Sequence, residues 1–174
     1  MSERPVPEMS RPHAAESIGV SPQGFRFEAS ADERRALARR FGLRSVDRLI
    51  ASGRLRRVEN TVILLEASFE ADVVQSCVVS LEPVAQQMAE SFTMRFASRT
   101  EDESGELDLD PLAEDPPDPI VEGIIDVGEA VAEHVALALD PYPRAPDAEL
   151  PEIGQEDEGA RHPFAVLRTL RDGT

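Results

Sequence analysis

Leu65-Glu-Ala-Ser-Phe-Glu-Ala-Asp-Val73 decides the fold. Leu65, Ala67, Phe69, Ala71 and Val73 alternate with Glu66, Ser68, Glu70 and Asp72, the period of two that places one face of a strand on a core and the other in water. Such half-buried strands belong to antiparallel sheets, because parallel strands are covered on both faces and are apolar throughout. Downstream, Val74 to Leu81 continues more apolar on both faces until Glu82-Pro83, and Cys77 falls within this apolar strand. Met88, Phe92, Met94 and Phe96 then share one parity, interrupted by Glu90. Upstream, Val46 to Val58 is less regular, with Leu49, Ala51, Gly53 and Leu55 in one register and Asn60 as a turn residue after it. Connections this short predict antiparallel neighbours, hence a meander.

Further upstream, Phe25 to Ser30 alternates as a short strand and runs into Ser30-Ala-Asp-Glu33, a capping box. The helix it opens, Asp32–Phe41, carries Leu37, Ala38 and Phe41 toward a core, and Gly42 supplies a left-handed stop. After the meander, Thr100 to Pro119 is an acidic, proline-bearing loop too charged to pack. Ile120–Asp126 resumes a strand. Asp126-Val-Gly-Glu129 resembles a second capping box, and Val127, Val131, Val135, Ala138 and Leu139 give the following helix an apolar stripe, ended by Asp140-Pro-Tyr-Pro143.

The expected architecture is therefore α+β: an antiparallel meander over Phe25–Ser98 and Ile120–Asp126, covered by two to three helices, with a long acidic loop. Residues 1–24 read as a disordered lead-in without the apolar stretch of a secretory signal. Residues 25–145 form one domain that includes the acidic loop at 100–119, residues 146–161 form an acidic linker, and residues 162–174 form a short helix with Pro163 at its first position. At 174 residues the chain can bury a real core, and no apolar run approaches the roughly 18 residues of a membrane span. A cytoplasmic protein is expected.

Charge is sorted by position. Arg26 to Arg57 holds ten Arg and four acids, a local balance of +6, whereas residues 100–160 hold twenty acids and Arg144, a balance of −19. All eighteen basic residues are Arg, which grips phosphates bidentately, although a compositional bias of the genome gives the same result. Arg35 and Arg39 form a stripe on the first helix, with Arg34 and Arg40 on adjoining rows. With Arg54, Arg56 and Arg57 they are the candidate RNA-binding residues. The acidic tract Glu101–Asp118 is the candidate surface for a basic protein, with Leu107, Leu109 and Leu112 as contact groups and Asp108 and Asp110 among the steering charges.

Catalytic chemistry finds no foothold. His13, His134 and His162 are too scattered for a ligand spacing, and no phosphate cradle, nucleophile elbow or paired-histidine motif occurs. Asp108-Leu-Asp110 opens like a calcium loop, but Leu112 and Ala113 stand where the next ligand and the glycine belong. One cysteine supports neither a disulfide nor a multi-cysteine zinc site. No catalytic residue, metal or cofactor is expected, and the chain reads as a non-enzyme.

Four stretches carry a family resemblance: Val73–Pro83, Ile125–Leu139, Asp140–Arg144 and Pro163–Leu167. In this order, with the acidic loop between the first two, the chain resembles the YceD family of large ribosomal RNA subunit accumulation proteins over roughly Phe25 to Leu170. The resemblance implies a role in ribosome assembly and no reaction. Two partners follow as expectations: large-subunit ribosomal RNA on the Arg-rich stretch, or a basic large-subunit ribosomal protein on the acidic tract. Many members carry Cys-x-x-Cys where this chain has Cys77-Val-Val-Ser80, with further cysteines where it has Pro141–Pro146. If a metal stabilises those relatives, Val78, Val79 and neighbouring apolar packing should serve here instead.

Overall fold

A computed structural model describes residues 7–59, 61–98 and 116–149. The acidic loop, apart from its last residues, and the terminal segment expected as a helix lie outside them, as does Asn60. Seven strands and two helices follow in order: β1 (Pro12–Ala14), β2 (Gln23–Glu28), α1 (Ala31–Phe41), β3 (Ser45–Arg57), β4 (Val62–Ser76), β5 (Pro83–Ala97), β6 (Asp118–Pro119), β7 (Ile124–Asp126) and α2 (Val127–Ala138), with a 3₁₀ turn at Ala15–Ser17. β2, β3, β4 and β5 form an antiparallel meander, with α1 inserted between β2 and β3, and β6 adds to β5 in parallel. The fold is α+β, as the alternation at Leu65–Val73 predicts.

That alternation sets the core. Leu65, Ala67, Phe69, Ala71 and Val73 are all buried, while Glu66, Ser68 and Asp72 on the other face are half-buried and Glu70 is exposed. Leu37 and Ala38 of α1 and Val131, Ala132 and Val135 of α2 share one cluster with Leu49, Phe69, Val73 and Met88. Both helices thus lie on the same side of the sheet. Burying a side chain the size of Phe69 contributes about 1.5–3 kcal/mol, so this side dominates the energetics.

α1 is built as its sequence requires. Ser30 accepts from the Glu33 amide, the Glu33 carboxylate takes the Ser30 amide in return, and Gly42 ends the helix at φ 67° in the left-handed region. α2 departs from its expected box. Asp126 caps it by accepting from the amides of Gly128 and Glu129, but the Glu129 carboxylate is drawn away to Arg40.

Three expectations need correction. The chain is ordered well before Phe25: Met9 and Ile18 are fully buried, and β1 pairs antiparallel with β7. Residues from 7 onward are therefore part of the domain rather than a lead-in. Because β1 supplies a partner, Ile124–Asp126 joins this separate two-stranded ribbon instead of the main sheet. The Ile18, Ile125 and Val127 side chains close the second half of the core against Leu55, Ile63 and Leu65. Finally, Cys77 is not in a strand, since β4 ends at Ser76 and a turn carries the chain to Leu81.

Candidate nucleic-acid interface

Helices and ribbon cover one face of the sheet; no helix among the described residues covers the other. On that open face the cross-strand register sets Arg26, Ser52, Ser68 and Ser91 in one row and Gly24, Arg54, Glu66 and Thr93 in the next. Its phenylalanine neighbours point the other way: Phe25, Phe27, Phe92 and Phe96 pack against the core. A nucleic acid on this face would meet guanidinium groups and hydroxyls rather than rings to stack on.

The structure divides the seven candidate arginines by what they already hold. Arg40 is a staple. It reaches Glu129 of α2 at 2.6 and 2.9 Å and Glu8 at 3.0 Å, tying α1 to α2 and to the N-terminal segment. These carboxylates, Glu129 foremost, raise its already high pKa. Arg57 is likewise committed, donating to the carbonyls of Ile18 at 3.1 Å and Ala15 at 2.7 Å. Arg54 and Arg56 on the open face share the Glu66 carboxylate at 3.0 and 3.6 Å, and Glu66 is held below its ordinary pKa chiefly by Arg54.

The outer side of α1 is different. Arg34 donates one nitrogen to the Ala29 carbonyl at 2.7 Å. Among the described residues Arg35 pairs only with Asp32, three residues earlier, and both side chains are mostly in water. Arg39 is exposed and donates no side-chain hydrogen bond among the described residues, although its charge is one of those that lower the pKa of Glu8. Pairs as exposed as Arg35–Asp32 contribute roughly 0–1 kcal/mol and exchange readily for another anion. The protein-partner candidates Leu107, Asp108, Leu109, Asp110 and Leu112 lie outside the described residues.

Sequence reasoning passed over two arginines of consequence. Arg26 stands on the open face opposite Ser52 with no side-chain partner among the described residues, and its parity against Phe25 and Phe27 was the available signal. Arg11 makes a bidentate pair with Glu33 at 2.7 and 3.1 Å and lies 4.9 Å from the Phe27 ring centroid. It locks the N-terminal segment onto the capping box of α1. The Arg11 guanidinium, opposed by burial and helped by the Ser30 amide, holds Glu33 down at about 2.

The Cys77 turn keeps the thiol hydrogen-bonded. Its Sγ accepts from the amides of Val79 at 3.4 Å and Ser80 at 3.3 Å. The Ser80 hydroxyl first, then the backbone amides of Ser80 and Ala145, pull its pKa down to about 6 against the effect of burial. Val78 is 48% exposed and Val79 half-buried, and hydrogen bonds brace the turn: the Cys77 amide donates to the Glu82 carbonyl, the Leu81 amide to the Cys77 carbonyl and the Val78 amide to the Pro143 carbonyl. His134 stacks on Phe92 with ring centroids 3.7 Å apart and its Nδ1 lies 2.9 Å from the Ala130 carbonyl oxygen, a structural role.

What these features define is a small α+β protein that presents a polar sheet face and a cationic helix flank. No helix among the described residues is long and apolar enough to cross a membrane. The chain belongs to the family described as Large ribosomal RNA subunit accumulation protein YceD, which it matches over residues 65–171. That family name ties the chain to accumulation of large-subunit ribosomal RNA. The match begins at Leu65 rather than Phe25, so the Arg-rich stretch precedes it. No curated protein and no solved structure matches the chain significantly.

Proposed function

We propose that the protein is a non-catalytic assembly factor that supports large-subunit ribosomal RNA accumulation by contacting RNA phosphates through the outer side of α1. One observation carries the reading: Arg35 and Arg39, one turn apart, are exposed and almost uncommitted, while Arg40 and Arg57 are consumed by the fold. Guanidinium groups presented in this way grip phosphates without reading sequence. The net charge of −16 does not forbid it. At physiological salt the Debye length is about 8 Å, so a local cationic flank acts independently of acids farther away. Arg26, with the hydroxyls of Ser52, Ser68 and Ser91, offers a second set of phosphate and sugar contacts on the open sheet face.

The test is binding of purified large-subunit ribosomal RNA across a salt series, wild type against Arg35→Gln/Arg39→Gln. Loss of two phosphate contacts should weaken binding and flatten the log–log salt slope by about 1.4–1.8. Unchanged affinity and slope in the folded double variant would overturn the proposal. A cellular complex that survives nuclease and contains a basic ribosomal protein would shift the reading to the acidic tract Glu101–Asp118.

A further inference from the structure

At the end of the sheet away from the ribbon, an apolar groove of about 510 Å³ opens between the C-terminus of α1, the end of β4 and the C-terminus of α2. Phe41, Leu43, Val78, Leu137 and Leu139 line it, with Pro141 and Pro143 at its side. Leu137 is 80% exposed and Val78 48%, and Leu81 and Tyr142 on the adjoining turns are exposed as well. So much bare apolar surface in one place marks a site meant to be covered. Gln75 lines the same groove. Its side-chain amide nitrogen donates to the Asp140 carbonyl at 2.9 Å, but its buried Oε1 has no partner among the described residues. A buried acceptor left unpaired costs about 1–3 kcal/mol, which a donor arriving in the groove would recover.

The occupant is indicated by where the motifs fall. Of the four stretches that carry the family resemblance, three meet here: Gln75, Ser76 and Val78 from the first, Ala136, Leu137 and Leu139 from the second, Asp140, Pro141 and Pro143 from the third. The fourth, Pro163–Leu167, lies within the family match, which runs to residue 171, but beyond the last described residue, Glu149. The segment His162–Leu170 spaces Phe164, Leu167 and Leu170 three apart, one apolar row. Residues 161–171 carry Arg161, Arg168 and Arg171 and no acid, while Asp140 sits at the groove. The chain also leaves the fold beside the groove, where the Val78 amide donates to the Pro143 carbonyl at 2.9 Å. From Glu149 to Pro163 the backbone can reach about 45 Å when extended, ample to return.

We propose that the groove is the seat of this chain's own C-terminal segment, with Phe164, Leu167 and Leu170 against Val78, Leu137 and Leu139. Amide hydrogen exchange of the full chain tests it. Amides of residues 164–170 should exchange at least about tenfold more slowly than in an unstructured peptide of the same sequence. Val78→Asp/Leu137→Asp should abolish that slowing while leaving α1 protected, since both side chains are exposed and their loss does not disturb the core. Phe164→Ala/Leu167→Ala should do the same from the other side. Three results would overturn the proposal: no slowing in the wild type, which leaves the groove for a separate partner; slowing insensitive to the groove substitutions, which places the segment elsewhere; and slowing lost on dilution, which makes the occupant a second copy.

Discussion

The carbonyl oxygen of Met9 lies where a side chain on Gly128 would have to begin, well inside van der Waals contact of any Cβ placed there. The N-terminal segment thus crosses the first turn of α2 at a distance only glycine allows. The neighbouring Arg11 amide donates to the Asp126 carboxylate at 2.7 Å, and the fully buried Met9 side chain anchors the crossing.

Gly128→Ala is therefore expected to destabilise the protein. Helix propensity alone favours Ala over Gly by about 1 kcal/mol, while forcing an extra carbon against backbone costs typically 1–3 kcal/mol. We expect the steric cost to win, with a net loss of up to about 2 kcal/mol in denaturant unfolding and faster amide exchange at residues 11–15. A more stable variant with unchanged exchange would show that the segment yields at no cost.

The arginines should separate into two groups. Arg40→Gln removes contacts to Glu129 and Glu8 at once and leaves two partly buried carboxylates unpaired. It should cost about 1–2 kcal/mol of stability and leave the salt slope of RNA binding almost intact. Arg39→Gln should do the reverse, with stability within about 0.5 kcal/mol of wild type and weaker binding. If both variants lose RNA equally, the division between fold and surface is wrong.

The difficulty of seeing that division beforehand has a physical cause. Local signals were legible: the Ser30–Glu33 box and Gly42 fixed α1, and the Leu65–Val73 alternation fixed the buried face of β4, because each depends on neighbours a few residues away. Charge counting found the cationic stretch but could not say which members were spent. The partners of Arg40 lie 32 and 89 residues away in sequence. The N-terminal segment failed to announce itself for the same reason. Met9 and Ile18 stand among Arg, Pro, His and Ser with no apolar periodicity, and the clusters they join are completed by Val131, Ala132 and Val135 of α2 and Ile125 of β7, more than a hundred residues on. The groove, too, is made by three stretches that meet only in the fold.

Acid should loosen the N-terminal segment in a defined window. Glu33 is depressed from 4.5 to about 2 by Arg11, so its pairing stabilises the folded state fully above the unfolded value and fades as pH falls from about 4.5 through about 2. Arg11→Met should remove most of that dependence, leaving the smaller part due to Ser30, and the difference in unfolding free energy between wild type and variant should shrink as pH falls through the window. A difference constant from pH 6 to pH 2 would contradict the assignment.

Cys77, the protein's one cysteine, gives a direct readout of its turn. Its thiol titrates at about 6 against an ordinary 9, drawn down first by the Ser80 hydroxyl and then by backbone amides. A depressed acid contributes stability that is complete above its unfolded pKa, so this contribution declines as pH falls from about 9 and is gone below about 6. Ultraviolet absorbance of the thiolate should follow the lowered midpoint, and Ser80→Ala should shift that midpoint upward by removing the largest cause. Alkylation should nevertheless be slow, because the side chain is fully buried and reagent must wait for the turn to open. In denaturant the order inverts: the midpoint returns toward the ordinary thiol value while alkylation above that pH becomes fast. A wild-type midpoint above 8, or one unmoved by Ser80→Ala, would refute the hydrogen-bonded turn as the cause.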